Sequence, residues 1–129
     1  MELSIWCLVA AFALIYLPRL PALKGTLAQE GRIDIAHPRL QQARLTGRGA
    51  RAQAAHLNMV EAFAPFAAAV WVAHLYDVDP GLRGGLAVVF VVARILLILA
   101  YHADLNPWRT VIWSVGPLAI IGLFMSPLL

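Results

Sequence analysis

Four apolar runs dominate the chain, and each is close to or beyond the length that crosses a bilayer. They cover about residues 3–23, 52–76, 84–103 and 110–129. A hydrocarbon core about 30 Å thick needs about 20 helical residues, each rising about 1.5 Å. The last three runs meet that length. The first does so only by continuing past Pro18 through residues 20–23. Lipid offers the backbone no water, so every span has to close its own hydrogen bonds as a helix. Composition agrees: 61% of the 129 residues are hydrophobic and 13% charged. Soluble domains carry about 25% charged residues, and a soluble fold this small could not hide so much apolar surface. The expected fold class is all-α, a single-domain integral membrane four-helix bundle over residues 1–129, contacting membrane lipids.

The first run resembles a secretory signal in length but opens Met1-Glu2, without the basic segment such signals carry. Pro18 and Pro21 also sit badly for cleavage, so a retained helix is expected. Basic residues set the topology. The expected loop of about residues 24–51 and its edge carry Arg19, Lys24, Arg32, Arg39, Arg44, Arg48 and Arg51. The connector at 77–83 and the turn at 102–109 carry one basic residue each. The positive-inside rule places the first and third loops in the cytoplasm and both termini outside. This accounts for the net charge of +3 without nucleic acid, for which no recognition motif appears. The single cysteine, Cys7, is expected to be a small buried apolar side chain. No histidine–carboxylate spacing suits a metal, and no glycine-rich loop suits a phosphate. Trp6, Trp71, Trp108 and Trp113 read as interfacial anchors, and Gly84, Gly85, Gly116, Pro117 and Gly122 as close packing and a kink.

The polar residues inside the spans are the informative ones. A carboxylate at the centre of a spanning helix costs about 2.5–3.5 kcal/mol on insertion scales. Glu61 lies deep in the second run and Arg94 equally deep in the third, so each is expected to face inward and pair with the other. Positions 51, 54, 58, 61 and 65 step by three and four, which puts Arg51, Asn58 and Glu61 on one stripe. Positions 94, 98 and 101 do the same for Arg94 and Tyr101, and Arg109 opens the fourth run. His56 falls off the stripe and is expected to face a neighbouring subunit. Two readings fit these residues: polar glue between helices, or a functional polar site within the membrane.

The stretch AHLNMVEAFAPF resembles the second-helix signature of the MAPEG superfamily, membrane-associated proteins in eicosanoid and glutathione metabolism. The pattern is an Asn, a Glu three residues on, and Pro-Phe beyond it, here Asn58, Glu61, Pro65 and Phe66. ARILLILAYHADLNPWR is similar to the family's third helix and following turn, with Arg94, Tyr101 and Arg109 at the matching positions. HPRLQQARLTGRGARAQAAH resembles the cytoplasmic loop of bacterial members, which implies a bacterial inner-membrane protein. Where many eukaryotic members carry an Arg four residues before the Asn, this chain has Ala54. Where many carry a polar residue three after the third-helix Arg, it has Leu97.

The resemblance implies a homotrimer of four-helix subunits, with glutathione as co-substrate between subunits and a lipophilic small molecule arriving from the bilayer. It implies glutathione binding by Arg51, His56, Asn58, Glu61, Arg94 and Tyr101, with no metal. Arginines suit the two carboxylates of glutathione, through forked charge-assisted hydrogen bonds. Arg109, then Tyr101, are the implied catalytic residues. They would favour a thiolate from a thiol whose ordinary pKa is about 8.5. The reaction implied is transfer of the thiol to a lipophilic electrophile, or reduction of a lipid hydroperoxide. The alternatives are a family-fold protein without catalysis, acting as a lipid or small-molecule binder or a structural trimer, and an unrelated four-helix membrane protein.

Overall fold

The computed structural model describes residues 2–129. Six α-helices follow one another, joined by short connections: α1 (Leu3–Tyr16), α2 (Arg19–Glu30), α3 (Pro38–Ala43), α4 (Gly47–Leu75), α5 (Pro80–His102) and α6 (Asn106–Met125). A single 3-10 turn, Ser126–Leu128, closes the chain. α1 and α2 together, α4, α5, and α6 with its terminal turn are four segments long and apolar enough to cross a membrane.

Proline punctuates the first span. Pro18 has no N–H to donate, so α1 stops at Tyr16 and α2 restarts at Arg19. Leu17 and Pro18 both keep right-handed helical backbone angles, so the two helices run on as one segment. α2 continues to Glu30, seven residues beyond the expected end at 23. Its last residues, LKGTLAQE, are mostly good helix formers. The stop comes at Gly31, whose φ of +70° is the left-handed cap that glycine takes at least cost. Much of the expected loop of 24–51 is therefore helical, and residues 31–37 and 44–46 remain as connections around α3.

The other starts also come early. α5 begins at Pro80 rather than 84, because Asp79 caps it: its Oδ2 accepts the Leu82 N–H at 2.9 Å, and proline suits the first helical position. α4 begins at Gly47 rather than 52, and α6 at Asn106 rather than 110. In the tight turns, Asp77 and Asp104 take left-handed conformations, with φ of 51° and 56°. Aspartate tolerates this better than most residues.

The helices pack through small residues. Cys7 and Ala11 of α1, Ala69, Val70 and Ala73 of α4, Ala87 of α5, and Ala119, Ile120 and Leu123 of α6 form the main core. Phe66 and Phe90 stack at its centre, with centroids 3.9 Å apart. Lipid tails give apolar helices no hydrophobic reason to associate, so close approach of small residues has to supply the dispersion contacts. A close backbone approach joins α2 to α4: a Cβ on Gly25 would lie 2.6 Å from the Gly49 Cα. Large apolar side chains such as Trp71, Leu99, Leu118 and Ile121 cover the outside. Such a surface suits lipid or a second subunit.

Candidate functional site

Three helices contribute to a cavity of about 280 Å³ inside the spans. Asn58, Glu61 and Pro65 come from α4, Arg94 from α5, and Trp113, Pro117, Ile120 and Ile121 from α6. The stripe spacing of α4 thus brings Asn58 and Glu61 to the same opening as Arg94.

Arg94 is the buried charge of this site, 1% exposed. Its Nη1 donates to Asn58 Oδ1 at 2.8 Å, and its guanidinium lies over the Phe90 ring, 5.1 Å from the centroid. Its Nε is buried without a partner. Among the described residues it forms no ion pair. The expected Glu61–Arg94 pair is not formed, and Asn58 takes that place. Glu61 shares the cavity but has an exposed side chain and no hydrogen bond or ion pair among the described residues. Helical spacing fixes which side of α4 Asn58 and Glu61 occupy. It does not fix their height relative to α5, and that height selects the shorter amide.

Two features of α6 and α4 shape the cavity. Gly116 is the passage for Arg94: a Cβ there would collide with the guanidinium. Pro65 and Pro117 stand inside their helices and cannot donate to the carbonyls four residues earlier. Those carbonyls belong to Glu61 and Trp113, both cavity residues. The site therefore combines one under-satisfied cation, one free carboxylate and two main-chain acceptors released from helical bonding. Sequence reading treated Gly116 and Pro117 as packing and Trp113 as an anchor. The signal available was the pair Gly116-Pro117 in mid-span.

Tyr101 and Arg109 also come together. The Arg109 guanidinium lies over the Tyr101 ring, 4.8 Å from its centroid, and its Nη2 donates to Asn106 Oδ1 at 2.8 Å. Tyr101 packs against the cluster of Ile15, Ala55, Met59 and Ile98. It stands seven residues, about two turns or 10.5 Å, beyond Arg94 on α5.

Arg51 and His56 lie outside the Arg94 cavity. Arg51 forms a 3.7 Å ion pair with Asp104 in the α5–α6 turn and lines a second cavity with Arg48 and His102. His56 holds to α1 of its own chain. Its Nδ1 donates to the Ile15 carbonyl at 2.8 Å, beside the Pro18 break where α1 leaves carbonyls without helical partners.

At the opposite end of α5, Arg83 is 4% exposed and donates through Nη2 to Glu2 and through Nη1 to the Ala73 carbonyl. His74 Nε2 lies 3.4 Å from the same carboxylate and 3.0 Å from Ser4 Oγ. The limits of the apolar runs place Arg83 in the connector at 77–83. The Asp79-Pro80 start puts it a full turn inside a helix. Among the described residues, no group of three His, Cys, Asp or Glu side chains is placed to hold a metal.

No curated protein and no solved structure matches this chain. The model of the MAPEG family matches residues 3–129. That match spans essentially the whole chain and includes all four apolar segments, α4 with Asn58 and Glu61, and α5 with Arg94; the protein belongs to the MAPEG family.

Proposed function

We propose that this protein is a membrane-bound, glutathione-dependent transferase or peroxidase, working as a homotrimer with its sites between subunits. One observation carries the reading: Arg94, without a carboxylate partner, and Glu61, without a cation, open onto one cavity. A buried, unpaired guanidinium is costly within a span. A ligand carrying both a carboxylate and an ammonium relieves both residues at once. The γ-glutamyl end of glutathione is such a zwitterion. The carboxylate would meet Arg94, the ammonium Glu61 and the freed carbonyls, and an amide Asn58.

Length supports the same reading. Eight bonds separate the α-carboxylate of the γ-glutamyl residue from the cysteine sulfur, about 10 Å when extended, close to the two helical turns between Arg94 and Tyr101. Anchored at Arg94, glutathione reaches the Arg109–Tyr101 stack. There the Arg109 guanidinium favours the thiolate, with Tyr101 second. The thiol gives up its proton and the sulfur forms a bond to carbon of a lipophilic electrophile; either a C–C double bond or a strained C–O bond opens and the freed atom takes up a proton, or a leaving group departs with the bonding pair. With a lipid hydroperoxide, two thiols are oxidised to a disulfide, and the peroxide becomes an alcohol and water. The trimer is supported by Glu61, whose exposed side chain on a spanning helix needs a cover that lipid does not provide.

The test is a glutathione titration of the detergent-purified protein, following thiolate absorbance in the ultraviolet. A saturable signal is expected, with its loss in Arg109→Ala. Absence of thiolate at millimolar glutathione overturns the catalytic reading. The second reading, a binder of the same fold without thiol chemistry, is favoured by Ala54 and Leu97, where the site has fewer polar anchors. Glutathione binding without thiolate formation would select it. Crosslinking to trimers tests the assembly in both cases.

A further inference from the structure

The cavity beyond the two-turn reach of the Arg94 site has a different character. It measures about 250 Å³ and is lined by Arg48 and Arg51 of α4 and His102 of α5. A water occupies about 30 Å³ of the liquid, so there is room for a tetrahedral oxyanion and some of what it is attached to. Arg48 and Arg51 are three residues apart on the first turns of α4, hence neighbours on one face. The Arg48 side chain has no hydrogen bond or ion pair among the described residues. Arg51 has one counter-ion, Asp104, at 3.7 Å, beyond hydrogen-bond distance, and its Nε is shielded from water without a partner. His102 Nδ1 donates to the Ile98 carbonyl at 2.8 Å, which leaves Nε2 as the ring's free polar atom. The N-terminus of the 29-residue α4 adds positive potential, and no side chain caps it.

Two guanidiniums, an imidazole edge and one distant carboxylate leave the cavity with an uncompensated positive charge. It stands at the end of the bundle that carries the connection 31–46, where α4 begins and α5 ends. Forked guanidiniums match the paired oxygens of a phosphate, and basic pockets between spanning helices at this depth suit anionic headgroups. We infer that the Arg48–Arg51–His102 cavity binds a phosphate oxyanion, supplied by an anionic lipid headgroup or by a soluble phosphate, and that Arg51 serves this site rather than the Arg94 cavity.

The experiment uses the full-length protein in detergent, with retention of added phosphatidylglycerol followed by native mass spectrometry. Arg48→Gln/Arg51→Gln is compared with Lys24→Gln, an exposed basic residue outside the cavity. A surface arginine contributes about fivefold to headgroup affinity. Retention is expected to fall about 25-fold in the double variant and to hold in Lys24→Gln. A second arm adds inorganic phosphate alone. Displacement of the lipid by millimolar phosphate, with a rise in melting temperature lost in the double variant, assigns the site to soluble phosphates. No displacement assigns it to the headgroup. Equal retention in all variants, with no response to phosphate, overturns the proposal. So does a loss of glutathione affinity in Arg51→Gln at unchanged lipid retention, which would return Arg51 to the glutathione site. Arg48→Gln alone carries the same test if the double variant does not survive purification, because the Arg48 side chain holds no hydrogen bond or ion pair to lose among the described residues. Failure of glutathione to bind the unaltered protein would sink the proposed function and leave this result standing.

Discussion

Arg83 and Arg94 are both buried arginines of α5, eleven residues or about 16 Å apart. Arg83 has a carboxylate, Glu2, and a main-chain carbonyl, Ala73 O. Arg94 has one side-chain amide and the face of a ring. Burial is therefore the same and neutralisation is not. A buried charge with its counter-ion in place ties elements together: Arg83 joins the start of α1 to the end of α4. On the proposed function, a buried charge without one, beside a cavity, is a seat kept open for an anion. The difference then separates a structural arginine from a binding one, and it can be attacked from either side.

The largest effect should come from Arg83→Met. Removing one partner of a buried ion pair costs about 3–5 kcal/mol. Glu2 is 45% exposed, so solvent screens part of that, and a loss of about 2–3 kcal/mol is expected. Titration of the detergent-solubilised protein with sodium dodecyl sulfate measures it. Glutathione affinity of the surviving fold should be unchanged. A variant as stable as the parent would mean that Glu2 and Arg83 hold nothing together.

Gly116→Ala is next. The added methyl enters the volume of the Arg94 guanidinium, and overpacking of this kind costs about 1–3 kcal/mol. The helix propensity gained offsets up to about 1 kcal/mol of that. The main outcome is on the ligand: Arg94 must swing away, and glutathione affinity should fall by about tenfold or more, as for loss of one charge-assisted hydrogen bond. Isothermal titration against Gly122→Ala, whose nearest neighbour is the Leu86 side chain, isolates the effect. Equal affinities would show that Arg94 does not need its passage.

Arg94→Met should reverse the sign seen at Arg83. An apolar chain of similar length removes a charge that has one hydrogen bond and no counter-ion, so the ligand-free protein should gain about 1 kcal/mol or change little. Glutathione binding should be lost. A destabilisation like that of Arg83→Met would mean that Arg94 is glue between α4 and α5, the alternative that the intramembrane polar residues left open from the start.

These cases also mark what could be read from sequence. Four spans followed from hydropathy, because lipid permits few alternatives to a helix. The sharing of one opening by Asn58, Glu61 and Arg94 followed from the stripe on α4 and the depth of Arg94. The pairing did not, since residue spacing says nothing of the axial shift between two helices. The pair Gly116-Pro117 marked a special place in mid-span, but the role of Gly116 is set by a side chain from another helix, Arg94, which spacing does not show. Arg83 was readable in principle. Asp79-Pro80 is a helix start, and taking it at face value moves Arg83 from a loop to a buried turn. His56 and Arg51 share their helix with Asn58, but the residues they meet, Ile15 and Asp104, lie far off in sequence.

The smallest effect belongs to the connection between α2 and α4, where water replaces both lipid and core around the charges. Asp34 Oδ1 accepts the backbone N–H groups of Ala36 and His37, each at 2.9 Å, and these bonds, the His37 one foremost, hold its carboxyl below the usual range. A carboxyl depressed in the fold stabilises it above the unfolded value, about 3.9, and that contribution disappears as pH falls through the lower, folded value. Between pH 7 and 5 the Asp34 carboxylate should therefore keep its full contribution. In more acid solution, exchange of the Ala36 and His37 amides should rise above the intrinsic trend, while amides in the middle of α5 stay protected. Asp34→Asn keeps an acceptor oxygen and should remove the acid step. An acid step that persists in Asp34→Asn would trace the loosening to another group, the Glu30–Arg44 pair being the nearest choice. If α5 amides loosened at the same pH, the connection and the span would be one cooperative unit. The contrast between Arg83 and Arg94 would then have to be read as a property of the whole bundle rather than of two sites on one helix.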